Sequence, residues 1–215
     1  MKTNTLDIRQ MDCMELMAQY PDNHFDLAVV DPPYGIGMGG NAQIKSLKSR
    51  PNWAGCKYAK KEWDNAAPTS EYFKELTRVS RNQIIWGGNY FTNYLPPTKS
   101  WCYWDKKMSH NKNFSHGELA WASFGGILRQ FSRSATGDSD RKIHPTQKPV
   151  KLYDWIFANY AEKGMKILDT HLGSGSSAIA SHYAGMHLTA CELDEDYYKA
   201  ACERIHRETS QQTFL

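Results

Sequence analysis

Phe25-Asp26-Leu27-Ala28-Val29-Val30-Asp31-Pro32-Pro33-Tyr34 decides the fold. Its first six residues have the length and β-branched content of a strand buried on both faces. Gly35, Gly37, Gly39 and Gly40 follow, so strand gives way to loop at Asp31. The two prolines fix φ and remove two backbone donors, which leaves carbonyls free to point into a pocket instead of a sheet ladder. Asp31 adds a carboxylate and Tyr34 an aromatic face. A carboxylate and a rigid carbonyl can both accept from one –NH2 group, and a ring stacks on a flat heterocycle. This chemistry holds a nucleobase by its exocyclic amine. Taken alone, a strand end with a Pro-Pro turn explains the four residues equally well.

With 215 residues, 40% of them hydrophobic, the chain can bury one sizeable core, and residues 1–215 read as a single domain. No apolar stretch is long enough to span a bilayer and no signal-like core follows Met1, so the expectation is a soluble, cytoplasmic protein. The five cysteines contain no CxxC pair, which suggests neither a disulfide framework nor a zinc site, and no metal is expected. A net charge of +3 is too small to prove a polyanionic partner, but its distribution says more. Lys45, Lys48, Arg50, Lys57, Lys60 and Lys61 fall in a stretch without an acidic residue, interleaved with Trp53 and Tyr58. Arg129, Arg133, Arg141 and Lys142 form a second basic group around Phe131. Cations neutralise phosphates and aromatics stack on bases, so both segments are candidate nucleic-acid surfaces, with basic solvated loops as the plain alternative.

In chain order, residues 6–9 read as a strand and 11–20 as a helix, with Asp12 between them placed to cap the helix or hold a ligand. Residues 69–81 have the spacing of an amphipathic helix, and 83–86 of another buried strand. The run 35–40 formally matches GxGxxG, but no apolar helix follows it, so a dinucleotide site is rejected in favour of a loop over the active site. Residues 100–106, 118–124 and 127–131 read as three strands of an antiparallel extension, joined by long polar connectors. Next, His144-Pro145-Thr146-Gln147-Lys148-Pro149 leads into a helix over 150–160, and such a start with Thr, Gln and Lys can bind a carboxylate. A strand over 165–169, the loop Leu172-Gly173-Ser174-Gly175-Ser176, a helix over 177–184 and a strand ending in Glu192 then follow. Small residues let backbone N–H groups approach a ligand, and an acidic residue about twenty positions on suits ribose hydroxyls. The final helix, 195–207, reads as packing.

Asp31-Pro32-Pro33-Tyr34, then His144 to Pro149, then Asp169 to Gly175, then Glu192 occur in an order that resembles the beta class of DNA amino-methyltransferases. The likeness covers nearly the whole chain. It implies a doubly wound, Rossmann-like α/β methyltransferase fold with a mostly parallel sheet, and S-adenosylmethionine as cofactor. Asp31, Pro32, Pro33 and Tyr34 would be catalytic. Asp12, Thr146, Gln147, Lys148, Asp169, Leu172, Gly173, Gly175 and Glu192 would surround the cofactor, with Asp12 near its adenine and His144 to Pro149 at its carboxylate end. His171 and Leu172 depart from the family's Pro and Phe, which puts cofactor affinity in doubt. Asp at the first motif position is usual for adenine N6 and Ser for cytosine N4. The resemblance therefore implies an N6-adenine enzyme of restriction-modification type acting on a flipped base in duplex DNA. Cytosine-N4 DNA transfer, RNA adenine transfer and an inactive DNA-binding module are the alternatives. Target reading would fall to insertions at about 41–65 and 107–142, with Lys45, Lys48, Arg50, Arg129 and Arg133 as substrate contacts. So short a reading surface implies a small target or help from a second subunit, as in a homodimer.

Overall fold

The computed structural model describes residues 1–37, 64–108, 115–134 and 142–210. Eight strands among them form one sheet: β1 (Leu6–Gln10), β2 (Phe25–Val30), β3 (Ser80–Trp86), β4 (Trp101–Asp105), β5 (Gly117–Ala122), β6 (Arg129–Ser132), β7 (Lys166–Asp169) and β8 (His187–Glu192). Their order is β1-β8-β7-β2-β3-β5-β4-β6. The five strands from β1 to β3 are parallel, and β5 runs antiparallel to both β3 and β4. The expected extension is therefore present, but β6 pairs parallel to β4 and is not a third antiparallel strand. The turn between β5 and β6 passes back across the sheet instead of closing a hairpin, since β4 takes the place beside β5.

Successive side chains of a strand point to opposite faces. On β2, Leu27 and Val29 enter one core layer and Ala28 and Val30 the other. The first layer is completed by α3 (Val150–Tyr160), α4 (Ser176–Ala184) and α5 (Glu195–Ser210), through residues such as Leu152, Ile156, Ile179 and Ile205. The second is completed by α1 (Cys13–Met17) and α2 (Ser70–Val79), through Leu16, Met17, Tyr72, Phe73 and Leu76. The sheet is thus covered by helices on both faces, as a parallel sheet requires. Trp86, Trp104 and Trp121 lie in these layers, as their strand positions predict. Helix α1 is shorter than the expected span 11–20. Asp12 caps its start, accepting from the Met14 N–H at 2.7 Å, and three-residue turns take over at Gln19 and Tyr20.

The order in the sheet reverses between β7 and β2: from there β7 is followed outward by β8 on one side, with β1 beyond it at the edge, and β2 by β3 on the other. Ligands of such sheets lie beyond the carboxyl ends of the strands at this point. Asp12, Asp31, Gly87, Asp169 and Glu192 all sit at those ends. Because β5 is antiparallel, its amino end reaches the same edge, bringing Glu118 there opposite Trp104. Helix α4 enters from this edge after Gly175, whose φ of +77° places it in the left-handed region. A Cβ at Gly175 would lie 2.8 Å from Cδ1 of Ile205 on α5. Gly175→Ala should therefore cost about 1–3 kcal/mol in urea unfolding, from strained φ and overpacking together. Ile205→Val in the same chain should return part of the loss.

Candidate active site

The strand end at Asp31 is held by two side chains, Tyr34 just beyond it and Lys148 from far along the chain. The Tyr34 hydroxyl donates to Asp31 Oδ1 at 2.7 Å, and Lys148 Nζ pairs with Asp31 Oδ2. Lys148 also lies 3.1 Å from Glu118 Oε2, while the other Glu118 oxygen is 2.5 Å from Lys106 Nζ. The Lys148 side chain is only 4% exposed. Its ammonium stands 5.3 Å from the Trp86 ring centre and 5.9 Å from that of Tyr34, so two aromatic faces complete the cage. Burial favours loss of the Lys148 proton, but Asp31 and Glu118 outweigh it and hold its pKa above the ordinary lysine range. Burial raises Asp31 in turn, with Lys148 opposing. Removing one carboxylate from such a pair and leaving the ammonium buried costs about 3–5 kcal/mol.

Tyr34 is positioned by its neighbours as well as by Asp31. A Cβ on Gly87, which has φ +69°, would fall 2.2 Å from Tyr34 Cε1, so only glycine leaves room for the ring there. Tyr90, half-exposed on the short 3-10 turn Gly88–Tyr90, stacks on Tyr34 with ring centres 4.9 Å apart and planes at 16°. Burial keeps the Tyr34 hydroxyl protonated, which makes it a donor to Asp31.

A second group of expected residues gathers around the glycine loop. Glu192 accepts from the Gly173 N–H at 2.9 Å with one carboxylate oxygen and from the Asp194 N–H at 3.0 Å with the other. Asp169 accepts from the His171 N–H at 3.1 Å and the Ser177 hydroxyl at 2.5 Å. Burial above all, with the charges of Asp31 and Glu192 adding, pushes Asp169 up to about 7. Leu172 is buried. His171 is pushed down to about 4 by burial and stays neutral, with Nδ1 2.9 Å from the Thr170 hydroxyl and its ring edge-on to Tyr72. Gln147 closes its own turn, its side chain accepting from the Ile143 N–H, and the Thr146 hydroxyl meets His144 Nδ1 at 3.1 Å. Lys148 turns to Asp31 and Glu118, the only carboxylates with which it forms an ion pair among the described residues.

Of the expected nucleic-acid contacts, Lys45, Lys48 and Arg50 lie outside the described residues, as do nearly all of the proposed insertion at 41–65 and parts of the one at 107–142. Arg129 is exposed on the edge strand β6, 3.4 Å from Asn159 Oδ1. The Arg133 carbonyl accepts from the Trp104 indole at 2.9 Å. Two residues central to the site were not singled out from sequence. Glu118 carries no motif, and only the antiparallel register of β5 brings it to this edge. Arg204 sits in a helix read as packing, yet it is 1% exposed and donates to the Ser174 carbonyl and the Ser176 hydroxyl, both at 2.9 Å. Ser176 passes the contact on by donating to the Lys148 carbonyl at 2.7 Å.

A family model of DNA methylases acting at N6 or N4 matches residues 88–203, more than half of the chain. The type II methyltransferase M2.MboI of Moraxella bovis is 24% identical over 242 residues, covering 94% of this chain and 88% of that protein. The fold is that of M1.HpyAVI in complex with SAM, at a TM-score of 0.63 and 16% identity over 93% of this chain and 98% of that one. It is equally that of the cytosine-N4-specific PvuII DNA methyltransferase, at 0.63 and 13% over 96% and 92%. The chain belongs to the N6/N4 DNA methylase family. Among the described residues no helix is long and apolar enough to cross a membrane.

Arg204→Met should lower stability by about 2–3 kcal/mol in urea unfolding, because the Ser174 carbonyl loses a charged donor in a closed site.

Proposed function

We propose that this chain methylates N6 of an adenine flipped out of duplex DNA, with Asp31 as the acceptor of the base amine. The observation that carries this reading is the setting of Asp31: a carboxylate, not a serine hydroxyl, at the carboxyl end of β2, held between Tyr34 and Lys148. The target amine cannot be reached inside a stacked duplex, so the base leaves the helix. When bound, S-adenosylmethionine would supply a methyl group on a sulfonium whose sulfur keeps the electron pair of the S–CH3 bond. Asp31 and the Pro32 carbonyl accept from the amine and turn its lone pair to the methyl carbon. The lone pair becomes the new N–C bond, and Asp31 stabilises the positive charge that develops on nitrogen. The surplus N–H proton leaves by way of Asp31 to water. Tyr34 offers its ring to the base.

The residues present fit the cofactor. Asp169 is raised chiefly by burial, with the charges of Asp31 and Glu192 at the same strand edge adding, and a cation such as a sulfonium would relieve both. Gly173 and Gly175 would let backbone approach it, and Glu192 would meet the ribose hydroxyls. Asp12, Thr146, Gln147 and Leu172 complete the surround.

Methyl-labelled S-adenosylmethionine incubated with unmodified duplex DNA should place its label on N6-methyladenine after digestion to nucleosides. Label on N4-methylcytosine overturns the adenine assignment. In the same assay Asp31→Ala should lower transfer by about 10²–10³-fold or more while cofactor binding is largely kept. Asp169 has a raised pKa near 7, so it gains its charge as pH rises through neutrality. Cofactor affinity should accordingly strengthen between about pH 6 and pH 8, and Asp169→Asn should flatten that dependence in calorimetric titrations.

A further inference from the structure

We infer that Glu118 is the second seat of the Lys148 ammonium: it takes Lys148 when the target amine arrives and so releases Asp31 to accept that amine. The inference rests on the assignment of Asp31 in the preceding section and adds a positioning residue to it.

Both Asp31 oxygens are engaged in this structure, one by the Tyr34 hydroxyl and one by Lys148. An arriving amine needs an acceptor position, and the charge it develops is positive. An ammonium on the same carboxylate opposes that charge, so the pair that organises Asp31 at rest works against transfer. Lys148 cannot simply leave, because a buried ammonium without a counter-charge is strongly disfavoured. Glu118 Oε2 is already 3.1 Å away, on a different strand from Asp31. Lys106 occupies the other oxygen of Glu118 and leaves this one to Lys148. The Trp86 and Tyr34 rings stand within cation–π range of the ammonium. Two ammoniums and two carboxylates are neutral in either arrangement, so the change of seat requires neither proton transfer nor entry of an ion. The ionisable groups facing this cluster are Asp31, Tyr34, Glu118 and Lys106, with Asp169 near Asp31, Lys142 near Lys106 and Tyr153 from α3; burial raises Tyr34 and Tyr153 well above the ordinary tyrosine range and keeps both neutral.

The test is single-turnover transfer of labelled methyl to saturating unmodified duplex DNA, alongside calorimetric cofactor binding and thermal unfolding. Glu118→Gln should fold, with a lower melting temperature because the buried ammonium loses one carboxylate, and bind S-adenosylmethionine as wild type does. Its transfer rate at pH 7.5 should fall by about 10–100-fold, since Lys148 then stays on Asp31. The rate should recover as pH rises towards about 9.5, because a lysine deprived of one carboxylate gives up its proton more readily. Wild type should show no such rise, and Glu118→Asp should keep most of the activity. A wild-type rate in Glu118→Gln overturns the inference, as does a loss that is constant across pH and not rescued by Glu118→Asp. Should Glu118→Gln fail to fold, the Glu118→Gln/Lys148→Met double variant decides the matter, since it removes the Lys148 ammonium together with that carboxylate and leaves only Lys106, which reaches solvent in part, without its partner. Transfer within about tenfold of wild type at pH 9 then supports the release, and slower transfer overturns it. Asp31→Ala in the same assay separates the two readings. Wild-type transfer there sinks the role of Asp31 itself, whereas its loss beside an unaffected Glu118→Gln sinks only the role of Glu118.

Discussion

A lysine ammonium shut away from water stays charged only beside carboxylates, and the carboxyl edge of this sheet is arranged to supply them. Lys148 comes from the segment before α3, Asp31 from the end of β2 and Glu118 from the start of β5. No two of these are neighbours in sequence. The parallel half of the sheet and its antiparallel extension are therefore joined by charge as well as by the β3–β5 ladder. A shift of β5 by one residue would turn Glu118 to the other face and leave the ammonium with half its compensation.

The glycine loop depends on a second buried cation. Arg204 reaches from the last helix to the Ser174 carbonyl and Ser176, and Ser176 reaches the Lys148 carbonyl. The helix that packs last in the chain thus fixes the loop that packs first around the cofactor crevice, while Ile205 beside it meets Gly175. Arg204 and Lys148 lie at opposite ends of this short series of contacts, so the glycine loop and the strand end at Asp31 share one support. Arginine suits the place because its guanidinium offers several donors in a fixed fork and stays charged when buried.

The strands and helices of the α/β core were legible because a β-branched apolar run, a Gly-bounded loop and a 3.6-residue spacing are local signals. The strand end at Asp31 and the loop at Gly173–Gly175 were legible for the same reason. Glu118 was not, since Gly117-Glu118-Leu119-Ala120 looks like any strand start and its importance comes from a partner 30 residues on. Arg204 was missed because a charged residue on an amphipathic helix ordinarily faces water, and the serines that draw it inward are about 30 positions earlier. Lys148 was recognised, but a lysine before a helix suggests an anion to be bound, and nothing local reveals that the anion is the chain's own Asp31. The parallel pairing of β6 had no signal either, because a short strand carries no mark of its direction.

Asp64 forms a joint just beyond the strand end that carries Asp31 and Tyr34. Its carboxylate accepts from the Gly35 N–H at 2.8 Å and its carbonyl from the Gly37 N–H at 3.0 Å, so the two ends of the intervening segment are tied at one buried residue. The entropy of closing a loop grows only as the logarithm of its length. Once the ends are tied, the segment can be lengthened, shortened or exchanged wholesale with little strain passing to Asp31 and Tyr34. Such a joint keeps a change of length between its two ends from reaching the residues around Asp31.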